Sequence, residues 1–511
     1  MNRNGNRNGN WAAVRGFSEI TQEDLDNPKR RSGHHNWPLL NSQTSLNHYS
    51  FGSNERLEQL VLDFKHNPSW IKDNICMKVC IRFTPEPVNP AKPDAELDNP
   101  EYQCGKHSMS HEDRYQNNSD SKAPWKVETH TQNCTTNAFG EIEFVGAAGA
   151  GLGLQLRKFV RVNHDVHPHT LLQLLHKQWN LSTPKLLISV TGGAKNFHMG
   201  NKLKAVFRKG LIKAALSTGA WIITGGSNSG VMKYVGDAIR DYGLASGNAS
   251  RTNVVAIGIA SWGVINQREK LIDEKGLFPA TYRLDTKNRE GAMLDPNHTH
   301  FILADNGTEG QFGVEIKLRG KMEKEIAEQK VSGSTDVSVP IVCVVVEGGP
   351  NTIATVYEAI MNGTPAVIVA GSGRAADILA FAFQRAPEVE RQVKDSAGNI
   401  RKEKQTVISD SLSVRLAAML SKEFGDADLD THLTRIKEML NRRHLITVYE
   451  LGAGGEKSGD IDSAILHSLL KANKGHVQDQ LQLALIWNRV DVAKREIFIE
   501  DRDWKKGELD A

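Results

Sequence analysis

LLISVTGGAKN (Leu186–Asn196), WIITGGSNSGVM (Trp221–Met232) and VCVVVEGGPNT (Val342–Thr352) share one grammar: a short, largely β-branched apolar run that stops at a glycine pair. A buried strand that breaks at glycines and continues into a helix-like segment presents backbone N–H groups and a helix N-terminus at its carboxyl end. That is how α/β proteins hold phosphates. AVIVAGSGR (Ala366–Arg374) gives a fourth copy, with a fixed positive charge just past the strand.

Working outward, further strands are read at Val254–Ile259 and Phe301–Ala304, with helical periods such as LKAVFRKGLIKAAL and IKLRGKMEKEIAEQ between most of the strands. Strands alternating with helices predict an α/β class with a Rossmann-like, mostly parallel, doubly wound sheet. After about Ala375 the glycine clusters cease and the pattern turns helical. The last segment, WNRVDVAKREIF, looks like half of an ankyrin-like repeat, so an α-helical repeat region is expected to follow the sheet. The pattern still runs near the end, which predicts a longer parent chain.

The expected organisation is a disordered Asn/Gly/Ser/Arg-rich tail over 1–52, an α/β lead-in over 53–165, the nucleotide-binding core over 166–380 and the helical region over 381–511. WIKDNICMKVCIRF reads as a strand within the lead-in, and the polar, Pro-containing run from about 84 to 136 reads as a mobile insertion. With 63 Lys plus Arg against 60 Asp plus Glu in 511 residues, the net charge of +3 gives no general pull on nucleic acid. Any anion site is local. No N-terminal signal is legible, and no run of about 18 apolar residues suggests a membrane span. Five scattered cysteines fit a reducing compartment rather than a disulfide framework.

The candidate ligand-binding residues follow from the glycine loops. They are Thr191, Gly192 and Gly193 in the first; Gly225, Gly226, Ser227, Asn228, Gly230, Val231 and Met232 in the second; Gly348, Gly349, Asn351 and Thr352 in the third; and Gly371, Ser372, Gly373 and Arg374 in the fourth. Glycine admits the positive φ and the close backbone approach a phosphate needs, although a plain strand-to-helix turn uses it too. Arg374 offers planar recognition of a phosphate pair, or is a solvated surface residue. Arg319 follows Phe312 by seven residues, two turns if both are helical, so the ring and the guanidinium would share a face; a core Phe and a solvated Arg is the alternative. Cys80, Cys104, His107 and His111 include a C-x2-H-x3-H spacing that zinc accepts, but Cys80 is remote in sequence and the run is polar. No metal is expected there. GAGLG at Gly149–Gly153 lacks the spacing of a dinucleotide loop and reads as a linker.

With HFILADNGTEGQFGVEI and NGTPAVIVAGSGRAAD in order between these loops and AIWNRVDVAKREIF, the chain resembles the N-terminal homology region of melastatin-type transient receptor potential channels, closest to their ADP-ribose-gated branch. The resemblance implies a sheet of the SMF/DprA–LOG type in the cytosolic part of a homotetrameric, calcium-permeable channel at the plasma membrane. It implies ADP-ribose as ligand, bound by the loops above with Arg319, Arg374 and an aromatic at Phe312 where relatives carry tyrosine. It implies no resident cofactor, and partners that are other subunits of the channel; a calmodulin contact would rest on stretches such as FRKGLIKAAL, which read equally as ordinary sheet-packed helices. The third loop also resembles the P-G-G-x-G-T-x-x-E signature of LOG-type phosphoribohydrolases. Here Glu347 replaces the proline, Asn351 a glycine, and Thr355 the catalytic glutamate, with Glu358 one turn further on. Threonine cannot supply that carboxylate, so binding without catalysis is expected. A nucleoside-monophosphate hydrolase and a subunit-assembly module with a vestigial cleft are the alternatives.

Overall fold

The computed structural model describes residues 68–498 apart from the segments 86–101, 108–109, 117, 119–123, 147–155, 246–253, 277–278, 285–290, 332–336, 395–399, 407, 452–459 and 474–476. The chain divides into two units, Met1–Asn54 and Glu55–Ala511. The expected tail and the Gly149–Gly153 linker lie outside the described residues.

In chain order, α1 (Pro68–Asn74), β1 (Cys76–Cys80), β2 (Thr131–Thr135), β3 (Phe139–Val145), β4 (Arg157–Asn163) and α2 (Pro168–Gln173) form the lead-in. The core adds β5 (Leu187–Gly192), α3 (Asn201–Thr218), β6 (Trp221–Thr224), α4 (Gly230–Ala245), β7 (Val255–Ser261), β8 (Ala280–Arg283) and β9 (His300–Asp305). It continues with α5 (Ile316–Glu328), β10 (Ile341–Val346), α6 (Pro350–Met361), β11 (Ala366–Val369) and α7 (Arg374–Arg385). After these come β12 (Glu388–Lys394), β13 (Ile400–Thr406), α8 (Asp410–Phe424), α9 (Leu429–Leu440), β14 (Ile446–Tyr449), α10 (Ile461–Ala472) and α11 (Val477–Ile486).

Ten strands make one sheet in the order β14-β11-β10-β5-β6-β7-β9-β4-β3-β8. Every neighbouring pair is parallel except β3 with β4. The strand order reverses beside β5: β6 and β7 continue on one side, β10 and β11 on the other. In open α/β sheets a crevice forms outside the carboxyl ends at such a switch point.

Strand alternation divides the core. Ile188, Val190, Ile222 and Val344 face Phe207 and Leu211 of α3, Val235 of α4, and Ile465 and Leu469 of α10. Leu187, Ile223, Ile257 and Ile302 face Leu318, Met322 and Ile326 of α5. With helices on both faces, the strands read as continuous apolar runs, as parallel strands do. The α3 stretch FRKGLIKAAL buries its apolar face in this core, so it is a sheet-packed helix.

Three expectations change. WIKDN is helical, within α1, and only CMKVC forms a strand. The 84–136 run is not a featureless insertion, because β2 pairs antiparallel with β1 and Tyr102 and Cys104 pack with Cys80 and Phe83. The segment after 380 is helical over much of its length, as expected, but it also supplies β14 to the main sheet, and Trp487 is buried with its indole N–H donated to Lys185 O at 3.2 Å. ITVY is a short apolar strand that finds the free edge of β11, and helical periods on either side mask it.

Candidate functional site

The glycine clusters follow β5, β6, β10 and β11, four consecutive strands in the order β11-β10-β5-β6, so all four loops emerge on the carboxyl-terminal edge around the switch point. Three helices begin there: α4 at Gly230, α6 at Pro350 directly after Gly349, and α7 at Arg374. Their N-terminal N–H groups and dipoles favour an anion.

The loops interlock. Val231 N–H donates to Gly193 O at 2.8 Å, Gly230 N–H to the Asn196 side-chain oxygen at 3.1 Å, and Ser229 Oγ to Ala194 O at 2.8 Å. A Cβ on Gly230, whose φ is +55°, would sit 1.9 Å from Gly193 O, so only glycine fits between the first two loops. Gly193 N–H donates to Val346 O at 3.2 Å, linking the first loop to the third. Thr352 Oγ1 accepts from Gly349 N–H at 3.1 Å, capping α6. In the fourth loop Ser372 Oγ accepts from Glu347 N–H at 2.8 Å, and Asp377 accepts from Gly371 N–H at 2.7 Å.

Glu347 was not among the residues proposed from sequence, yet it lies at the centre. It is a buried carboxylate on left-handed backbone (φ +56°), and it accepts from Gly348 N–H at 2.5 Å. Its Oε2 lies 2.0 Å from where a Gly193 Cβ would be. Arg374, also left-handed (φ +43°), reaches Glu347 Oε1 at 3.5 Å and Glu423 of α8 at 3.7 Å, with its guanidinium 5.2 Å from the Phe424 ring centroid. It stands over Gly349, whose Cβ position is 3.9 Å from Nη1. Strained backbone of this kind costs on the order of 1 kcal/mol per residue and concentrates at functional sites.

Arg319 is differently employed. Its Nη2 donates to Ser189 Oγ at 2.8 Å, Val190 O at 3.0 Å and Ile223 O at 3.3 Å, and its Nε to Glu323 at 2.8 Å. It ties β5 to β6 just before their glycine loops. Phe312 precedes α5 in a turn and is 68% exposed, so the two-turn helical face expected for Phe312 and Arg319 does not exist. Gly313, immediately before Val314, takes φ +87°, and Val314 N–H donates to Ser261 Oγ at 3.2 Å, so the helix starts only after this turn. Asn228 N–H turns aside to Met293 O at 2.7 Å, while Met232 packs its side chain 3.7 Å from the Cβ position of Gly225.

A buried relay holds the second loop: Asp295 to His298 Nδ1 at 3.0 Å, His298 Nε2 to Thr224 Oγ1 at 2.7 Å, and Gly226 N–H to Thr224 Oγ1 at 2.9 Å. All three side chains are fully buried, so this is a brace rather than a nucleophile. Thr355 spends its hydroxyl on Asn351 O at 3.0 Å, and Glu358 is exposed. Burial pushes the Cys343 thiol in β10 up to about 12, which makes it inert.

Residues 157–419 match a family model described as SLOG in TRPM. The chain is similar to a transient receptor potential cation channel subfamily M member-like 2 of Nematostella vectensis, 41% identical over 466 residues, which is 90% of the chain and 28% of the relative. It is similar to subfamily M member 2 of Rattus norvegicus, 43% identical over 451 residues, 86% of the chain and 28% of the relative. Subfamily M member 1 of Mus musculus is 39% identical over 448 residues, 86% of the chain and 26% of the relative. The chain thus spans little more than a quarter of the length of these relatives. Among the described residues no helix is long and apolar enough to cross a membrane.

Proposed function

The chain belongs to the subfamily M, or melastatin-type, transient receptor potential family, and from that premise we propose that it is the ligand-sensing region of a cation channel, binding ADP-ribose or a related nucleotide at the switch-point loops. The single observation that carries this is the convergence of the α4, α6 and α7 N-termini and Arg374 on the carboxyl ends of adjoining strands. A pyrophosphate would sit at the N-termini of α4, α6 and α7, displace the Glu347 carboxylate from Gly348 N–H, and draw Arg374 from Glu347 and Glu423. Arg319 would act from beneath, by holding β5 and β6. Phe312 would cover a base only if its turn folds over the loops.

Gating needs only that the ligand prefer one conformer; a coupling of about 1–3 kcal/mol is typical. Arg374, the first residue of α7, pairs with Glu423 of α8, so ligand binding would alter that contact and pass to the segment beyond. In the whole protein this region would lie at the cytoplasmic face of the plasma membrane within a homotetramer. Calorimetric titration of ADP-ribose and AMP into the chain tests the proposal. Saturable ADP-ribose binding lost in Arg374→Ala supports it; no heat with folded protein overturns it, and release of free base from AMP would favour the hydrolase alternative instead.

A further inference from the structure

The lead-in holds a second site, independent of the glycine loops. Cys80 ends β1, Cys104 sits in the turn whose Gly105 (φ +74°) donates its N–H to Tyr102 O at 2.7 Å, and His111 follows. All three are buried, and their donor atoms, Cys80 Sγ, Cys104 Sγ and His111 Nε2, lie within 4.8 Å of one another. Cys104 Sγ is 3.4 Å from His111 Nε2. Both cysteines are free thiols.

The histidine is oriented from behind. His111 Nδ1 lies 3.0 Å from His107 O. A carbonyl only accepts, so Nδ1 carries the proton and the lone pair of Nε2 is left for the Cys104 sulfur. A backbone carbonyl fixing the tautomer of a ligating imidazole is the usual outer shell of a metal site. The ring is further clamped by Phe83, 4.2 Å away between centroids.

The spacing suits one metal. Tetrahedral zinc with Zn–S of about 2.3 Å and Zn–N of about 2.0–2.1 Å puts sulfur and nitrogen roughly 3.5 Å apart. A soft, redox-inert ion on two thiolates and an imidazole is zinc. There is also a structural need. Among the described residues the small core here is Cys80, Phe83, Tyr102 and Cys104, with Trp125 against it, so the turns between β1 and β2 rest on few apolar contacts.

We propose that Cys80, Cys104 and His111 bind a zinc ion, with His107 acting through its carbonyl rather than its ring. Binding displaces the two thiol protons and leaves the imidazole neutral.

The test is the zinc content of the full chain, reconstituted with zinc under reducing conditions and freed of loose metal. One equivalent is expected, falling at least tenfold in Cys104→Ser and His111→Ala and unchanged in Cys134→Ser. Content below a tenth of an equivalent in the unaltered chain, or equal content in all variants, overturns the proposal. Should the ligand variants fail to fold, cobalt titrated into the unaltered chain decides. Intense tetrahedral d–d bands with a sulfur-to-cobalt charge-transfer band support the site, and a weak octahedral spectrum or none overturns it.

Discussion

Glu347 and Arg374 are two strained residues that answer each other across the third and fourth loops, each in the left-handed region. The Glu347 carboxylate already holds the Gly348 N–H that an entering anion would use. Glu347→Gln removes a like charge from the path of a pyrophosphate, and calorimetry should show ADP-ribose affinity rising about tenfold, or about 1.4 kcal/mol. The two arginines should separate by readout. Arg319→Ala leaves Glu323 and Ser189 short of a partner and should lower the urea-unfolding free energy by about 3 kcal/mol. Arg374→Ala, at a half-exposed ion pair, should cost less than about 1 kcal/mol of stability while abolishing nucleotide binding. Equal stability losses in the two variants would contradict this division. The positions of the loops were legible because a glycine pair ends an apolar strand, whereas Glu347 gave no signal: a carboxylate after an apolar strand reads as solvated until its loop curls inward.

At the scale of elements, the helix N-termini are useful only because the loops before them pack backbone against backbone. Gly230→Ala would drive a Cβ into Gly193 O and should lower the thermal midpoint by many degrees, with a loss exceeding about 3 kcal/mol. Gly219→Ala, at the end of α3 with φ +67° but open space around it, should cost only the local strain of about 1 kcal/mol. If thermal melts rank these two the other way, the close approach of the first and second loops is not what glycine is there for. β6 and β10 were readable nearly to the residue, since they begin and end where their apolar runs do. α5 was readable in its body but not at its start, because the seven-residue spacing of Phe312 and Arg319 imitates a helical face that Gly313 interrupts.

At the scale of the described fold, β11 is covered at its edge only by β14, and α10 packs into the α3 core; both lie beyond residue 419, where the family match ends. A chain stopped at 419 should expose β11 and the α3 face, and gel filtration should find it aggregated, while a chain reaching 498 stays monodisperse at the same concentration. Acid stability belongs to the same scale. Burial first, then Lys158 and Arg157, holds His300 in β9 down to about 3. The unfolded chain protonates this histidine near pH 6.5 and the folded chain does not until near pH 3, so stability falls as pH drops between these values, by up to about 1.4 kcal/mol per unit. Urea midpoints measured across that window should show a shallower slope in His300→Gln.

Local sequence by itself determined the α/β class, the parallel strands and the positions of the glycine loops, because apolar runs, β-branching and glycine act over a few neighbouring residues. Tertiary structure alone decided which loops meet, through a strand order that reverses at β5. It alone turned Glu347 inward, committed Arg319 to the strands, returned β14 to the sheet and brought Cys80 to Cys104 and His111. Those outcomes depend on contacts between distant segments, whose pairing no local pattern encodes.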